Sequence, residues 1–429
     1  VDDIVIAAYD ETSGFEFDGT RYASINSCID YFTKAAGVDK ELLSQLVDIV
    51  SSDRFSYALR IAKLNKNVSN TKRSEIIEEV LQQESEQEEI QLEQANAVAM
   101  ENNMHIGLYR DLAVGVADSG SETWADEGNL VMDASIGAPP DVLGPLGQNW
   151  GLPPLNPQVL QETGYQAFVD LLRANMKHCG ALRIDHVLGL LRLWLIPKGE
   201  NATKGAYVYY PVKELLSILA LESHRNHCSV IGEDLGTVPV EIVDLLAKAG
   251  IHSYKVFFFE TAVDGGYFSP SHYHAQSMSV LCTHDMPTLR GFWNCDDLKL
   301  GAELGLYPDQ DQLDALFNSR LHSKQEILNS LSWHGLLPES VGRDATLVPM
   351  DRVLSESLQL HIAGGASALF SLQLEDWLEM DKPVNIPGTT DQYPNWRRKL
   401  SVNLDEIFLR DNVNDITKRL TEIRAQASR

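Results

Sequence analysis

From about residue 104 onward, short apolar runs of strand length alternate with longer stretches whose apolar positions recur at helical spacing. The runs are MHIGLY ahead of Arg110 and Asp111, ALRI ahead of Asp185, SVI ahead of Gly232 and Glu233, YKVFFF ahead of Glu260, SVLC ahead of Thr283, His284 and Asp285, and SALFSL near residue 370. Between them, YQAFVDLLRANMKHC, VKELLSILALESHRNHC and PVEIVDLLAKAG carry the apolar stripe of helices that lie on a sheet. Strand then helix, repeated, predicts an α/β fold built on a parallel sheet, of the (β/α)8-barrel type with inserted subdomain loops. Six units can be counted where a closed barrel needs eight, so the opening strands are not recognisable in this chain.

The pattern divides the sequence into residues 1–95 and 96–429. In the first block VDDIVIAAYDE reads as a strand, while SINSCIDYFTKAAG and KELLSQLVDIV read as amphipathic helices, giving a mostly helical block. It ends in SEIIEEVLQQESEQEEIQLEQANAVAM, whose strong helix formers and missing apolar stripe predict a solvated helix. A Gly/Pro-rich insertion near 126–157 follows the first barrel strand. It is too long for an ordinary connector and is read as functional, with Trp150 offering a stacking face and Gln148 and Asn149 hydrogen-bonding amides.

Composition narrows the partners. With 61 acidic against 35 basic residues the formal net charge is −26, and no basic patch stands out for a nucleic acid. A neutral substrate fits such a chain more easily than a phosphorylated one. No run approaches the length of a membrane span, and the N-terminus lacks the shape of a signal peptide. Five scattered cysteines, Cys28, Cys179, Cys228, Cys282 and Cys295, favour buried reduced thiols, hence a cytoplasmic location. HRNHC (His224, His227, Cys228) has loose metal-ligand spacing but reads as a helix end entering a strand, so no metal is expected.

The chemistry comes from where the acids fall. Asp185, Glu233 and Asp285 each follow an apolar run, about fifty residues apart. In a parallel barrel, residues at the C-terminal strand ends converge on one mouth. An acid that protonates a leaving oxygen and a carboxylate that meets an oxocarbenium-like carbon are what glycosidic chemistry needs. Asp185 is read as nucleophile, because Arg183, two residues earlier on the same strand face, keeps a carboxylate ionised. Glu233, with the longer side chain, is read as acid/base, and Asp285 with His284 as the group that holds sugar hydroxyls. Asp111 is ambiguous: it either lines the site or is structural, as any single acid after a strand could be a helix N-cap.

At these residues the chain resembles the 4-α-glucanotransferases known as amylomaltases or disproportionating enzymes, of the bacterial maltose-utilisation type within the α-amylase clan. The resemblance rests on GLYRDLAVGVADSGSETW, GAPPDVLGPLGQNWGLPPLNP, ALRIDHVLGLLRLWLIP, GAYVYYP, VIGEDLGTVP, THDMPTLRGFW and PVNIPGTTDQYPNWRRKL, which together span about residues 90–410. It implies a retaining mechanism with Asp185 as nucleophile, Glu233 as general acid/base and Asp285 as transition-state stabiliser. Arg183 and His284 are then substrate contacts, and the GQNWG loop with Asn149 and Trp150 a sugar-lining segment. The implied reaction moves α-1,4-glucan segments between maltooligosaccharide donors and acceptors (maltose, maltodextrins, glucose), without metal or organic cofactor. Two further readings remain open: an α-glucan hydrolase, and a catalytically incomplete glucan-binding remnant.

Overall fold

A computed structural model describes residues 6–10, 14–17 and 20–22 and, apart from 121, 124–126, 141–145, 237, 308 and 390–391, residues 87–427. The chain divides into two compact units, Val1–Ala95 and Asn96–Arg429. In the first, β1 (Ile6–Asp10), β2 (Gly14–Phe17) and β3 (Thr20–Tyr22) form an antiparallel sheet in that order. The helices read over SINSCIDYFTKAAG and KELLSQLVDIV lie outside the described residues. From Gln87 the Glu/Gln-rich segment is helical and mostly exposed.

The second unit is built on six parallel strands: β4 (Tyr109–Leu112), β7 (Ala181–Ile184), β10 (Ser229–Gly232), β11 (His252–Val256), β12 (Ser277–Val280) and β13 (Leu369–Ser371). They lie side by side in chain order, each parallel to the one before. Such single winding is barrel order, and the curled six-stranded sheet is a partial (β/α) barrel. Among the described residues no strand joins β4 to β13.

Alternation along the strands sorts side chains to two faces. Leu182, Ile184 and Val230 face the helices. There they meet Phe168, Leu172 and Met176 of helix Gln166–Met176 and Leu215, Leu216 and Leu219 of helix Val212–Asn226. The first trio recurs every four residues, and burying each such side chain contributes about 1.5–3 kcal/mol. Glu222 is buried between these two helices because Arg173 reaches it from one at 3.0 Å and Arg225 from its own turn at 2.7 Å. The other face gathers Ala181, Ile231, Tyr254, Val256, Met278 and Val280 into an inner core. Arg183 shares that face with Asp111, its register partner on β4.

Between β4 and β10 a second sheet is inserted: β5 (Ala134–Ala138), β6 (Gln148–Leu152), β8 (Arg192–Pro197) and β9 (Ala206–Tyr209), antiparallel in the order β6, β5, β8, β9. The region 126–157 is thus not simply a long loop; it supplies two strands. Gly137 permits this pairing, since a Cβ there would stand 2.0 Å from the Gln148 carbonyl oxygen. Other boundaries also differ from expectation. The first barrel strand runs through Arg110 and Asp111 instead of ending before them, and β12 starts two residues before SVLC. YKVFFF stops at Val256 because Phe257–Phe259 turn away as a 3-10 helix. Phe258 stacks on Phe292 at 3.9 Å and Phe257 on Tyr267 at 4.7 Å, contacts an extended strand would not reach. No helix among the described residues is long and apolar enough to cross a membrane.

One buried acid couples this scaffold to pH. Asp376 accepts the N–H of Leu289, the first residue of helix Leu289–Asn294. Burial pushes its pKa up to about 7, with Glu375 adding to the rise and the Leu289 N–H and Arg398 opposing it. The folded chain therefore holds this proton more tightly than the unfolded one, whose value is about 3.9. Its contribution is best below that unfolded value and falls as pH rises towards 7. Asp376→Asn keeps an acceptor for Leu289 and removes the charge. Calorimetry should find it more stable than the parent at pH 8, on the order of 1–4 kcal/mol, with little gain at pH 4.

Candidate active site

Arg183 is the hub of the site. It lies on β7, only 6% exposed, and holds two acids at once. One terminal nitrogen donates to both carboxylate oxygens of Asp111, at 2.7 and 2.8 Å, and the other meets Asp185 at 2.8 Å. Burial opposes the cation, but Asp111 and Asp185 outweigh it, so the guanidinium holds its proton more tightly than usual. The Asp111 contact follows from strand register; the Asp185 contact follows from spacing, because residues two apart share a face.

Backbone bonds fix the acids at the C-terminal strand ends. Asp185 N–H donates to the Leu112 carbonyl, and Glu233 N–H to that of Ile184. His186, next to Asp185, adopts a left-handed conformation with φ 46°, and its N–H donates to Glu233 Oε2 at 2.8 Å. Leu235 N–H holds the other oxygen, Oε1, at 3.0 Å. Glu233 is thereby aimed by two amides and tied to the residue beside Asp185. Its neighbour Asp234 turns away and accepts the N–H of Tyr254 on β11 at 2.8 Å.

The electrostatics separate the acids. Burial raises the Glu233 pKa, the Asp185 charge raises it further, and the two amides and Arg183 oppose the rise. Burial also raises Asp185, with the Arg183 ion pair pulling it back. Asp285 goes the other way. Burial would raise it, but hydrogen bonds from His284 and Asn385 bring it below the usual carboxylate range. His284 Nε2 stands 3.4 Å from Asp285, a contact that raises the imidazole pKa. Burial pushes His186 down to about 4, so its ring is neutral at pH 7.

Trp150, on β6, sets its ring edge-on to His186 with centroids 5.5 Å apart, which carries the inserted sheet to the Asp185 loop. The Asn149 side-chain oxygen accepts from Ser135 Oγ at 2.7 Å and from Gly151 N–H at 3.0 Å, within that sheet. A cavity of about 690 Å³ opens beside Asp111, Asp185 and His186, otherwise walled mainly by apolar side chains such as Phe168, Leu171 and Leu190. Glu233 and Asp285 do not line it.

Two side chains escaped the strand-end reasoning. Asn385 Nδ2 donates to Asp285 Oδ1 at 2.6 Å, and the exposed Trp396, with φ 61°, places its ring 5.0 Å from that of His284. Both belong to a loop with no strand directly ahead of it; the motif PVNIPGTTDQYPNWRRKL that contains them was the available signal. Among the described residues no three His, Cys, Asp or Glu side chains are grouped to hold a metal ion. In HRNHC, His227 is the left-handed C-cap of its helix, and Cys228 faces Cys179.

Acids at the C-terminal ends of a parallel sheet are the arrangement that glycosidic chemistry uses. The family model described as 4-alpha-glucanotransferase matches residues 54–404, starting earlier than the motif resemblance near residue 90. The chain belongs to that family. It is 43% identical over 320 residues to the 4-alpha-glucanotransferase of Haemophilus influenzae, covering 75% of this chain and 46% of the relative. It is 36% identical over 315 residues to that of Mycobacterium tuberculosis, covering 72% and 42%. The crystal structure of amylomaltase from Corynebacterium glutamicum superposes with a TM-score of 0.74 at 32% identity, over 81% of this chain and 50% of that one. An amylomaltase from Streptococcus agalactiae in complex with acarbose shares the fold at TM-score 0.62 and 20% identity. The chain thus spans about half the length of the relatives it matches.

Proposed function

We propose that this chain carries the catalytic face of a retaining 4-α-glucanotransferase that acts on maltooligosaccharides in the cytoplasm. The observation that carries the reading is Arg183 bridging Asp111 and Asp185 while the neighbouring His186 N–H holds Glu233. Protonated Glu233 gives its proton to the leaving glycosidic oxygen as Asp185 attacks the anomeric carbon, forming a glycosyl ester. Esterification removes the Asp185 charge that raised the Glu233 pKa, so the pKa falls and Glu233 stays ionised, available as the base of the second step. It then takes the proton of an acceptor's 4-hydroxyl, which attacks the ester and releases Asp185. Asp285, kept ionised by His284 and Asn385, accepts from sugar hydroxyls. Asn149, Trp150 and Trp396 provide an amide and two aromatic faces for neighbouring glucose rings.

Maltotriose incubated with the purified chain tests this. Glucose together with a ladder of longer maltodextrins is expected; glucose and maltose alone would make it a hydrolase. A second reading draws on the edges of β4 and β13, which no strand among the described residues joins: a glucan-binding remnant with an incomplete cleft. Maltodextrin binding without any product would favour it. Asn385→Ala, which frees one Asp285 oxygen, should lower kcat/KM about 10- to 100-fold, the worth of one hydrogen bond to a charged group. Initial-rate assays beside a thermal melt check that the loss is not unfolding.

A further inference from the structure

Cys179 and Cys228 sit at the end of the sheet opposite the acids. Cys179 lies in the turn from helix Gln166–Met176 into β7, and Cys228 in the turn from helix Val212–Asn226 into β10. Because these strands are parallel neighbours, with Ala181 opposite Ser229, the two turns are brought together. The sulfurs stand 3.7 Å apart, both residues buried and both thiols free. Neither takes part in the proposed chemistry.

A third group singles out Cys179. Its Sγ is 3.2 Å from the Asn175 carbonyl oxygen, and Arg110 donates to that same oxygen at 3.3 Å. A guanidinium therefore lies beside one thiol of the pair. The Cys228 hydrogen bond, helped by Arg110 against burial, lowers the Cys179 pKa, and the same bond raises that of Cys228. The other two described thiols differ: Cys282 is deeply buried beside acids and pushed well up, and Cys295 is raised by burial. A thiolate-prone cysteine with a second thiol in contact is the arrangement of an attacking and a resolving pair.

We propose that Cys179 and Cys228 are a peroxide-responsive dithiol that closes into an intramolecular disulfide, stapling β7 to β10. The Cys179 thiolate attacks a hydroperoxide oxygen, the O–O bond breaks, and Cys179 becomes a sulfenic acid as hydroxide leaves and is protonated. Cys228 sulfur then attacks the sulfenic sulfur, the S–O bond breaks, and a second water departs. Two thiols are oxidised and one peroxide is reduced to two waters. To form the bond the sulfurs must close from 3.7 Å to about 2 Å. The link constrains a 49-residue separation at the far end from Asp185 and Glu233, so it stabilises without entering the site.

The test uses the full reduced chain, treated with hydrogen peroxide at a dose that oxidises most of the partly exposed Cys295, then alkylated in denaturant and mapped by mass spectrometry. The expected result is a linked Cys179–Cys228 peptide lacking two hydrogens, restored to two alkylated peptides by dithiothreitol. The oxidised chain should also melt several degrees higher. In Cys228→Ser, Cys179 should be trapped by dimedone as a sulfenic acid, a label weak or absent in the parent. Both cysteines alkylated at that dose, or carrying sulfinic or sulfonic acid without a link, would overturn the proposal.

Discussion

Asp185→Asn is expected to reduce glucan transfer by at least about a thousandfold, since it removes the group that forms the covalent bond. An amide oxygen at this place is a poor nucleophile, and no other carboxylate occupies the end of β7. The thermal midpoint should stay near that of the parent. Burial raises the Asp185 pKa more than Arg183 lowers it, so the side chain's contribution to folding stability falls as pH rises above the unfolded value, and losing its charge should not cost the fold. Arg183 retains its two bonds to Asp111 in the variant. Maltotriose turnover and a melt on the same sample separate the two effects. Turnover within tenfold of the parent would remove Asp185 as nucleophile; a collapsed melt would make it a structural counter-ion.

The residues that could be located from sequence are those governed by short-range rules. ALRI coincides with β7 because all four of its residues are buried, Arg183 included, so the strand stands out from the less buried Gly180 and Asp185 on either side. Asp185 and Glu233 follow such strands directly, and the pairing of Arg183 with Asp185 needed only a spacing of two. The bond from Arg183 to Asp111 joins residues 72 apart and depends on the register of β4 against β7, which no local pattern encodes. The inserted sheet was missed for a related reason. ASIGA is made of small residues with one β-branched apolar position, and its strand character comes from cross-strand partners Ile196 and Trp194. Asn385 lies 100 residues from the aspartate it contacts, in a loop that local bonds such as Ile386 N–H to Asn395 hold without any repeating apolar pattern.

Glu233→Gln separates the two halves of the proposed reaction. The amide oxygen can keep one of the two N–H bonds from His186 and Leu235, while the NH2 that replaces the other oxygen cannot accept; the side chain keeps one anchor and loses its titrating proton. With natural maltodextrins the leaving alkoxide needs that proton, and a loss of about 10²–10⁴-fold is expected. A maltosyl donor with a fluoride leaving group needs no proton, so Asp185 should still be glycosylated at a rate near that of the parent. The second step then stalls, because no base activates the acceptor hydroxyl, and the glycosyl-enzyme should accumulate as a mass increment on the intact chain. The pH profile gives an independent sign. Burial and the Asp185 charge keep Glu233 protonated to higher pH than an ordinary glutamate, so kcat/KM should fall on its alkaline side as that proton is lost. In Glu233→Gln with the fluoride donor that alkaline limb should disappear. Equal losses on both donors, with the limb unchanged, would assign the proton to another group.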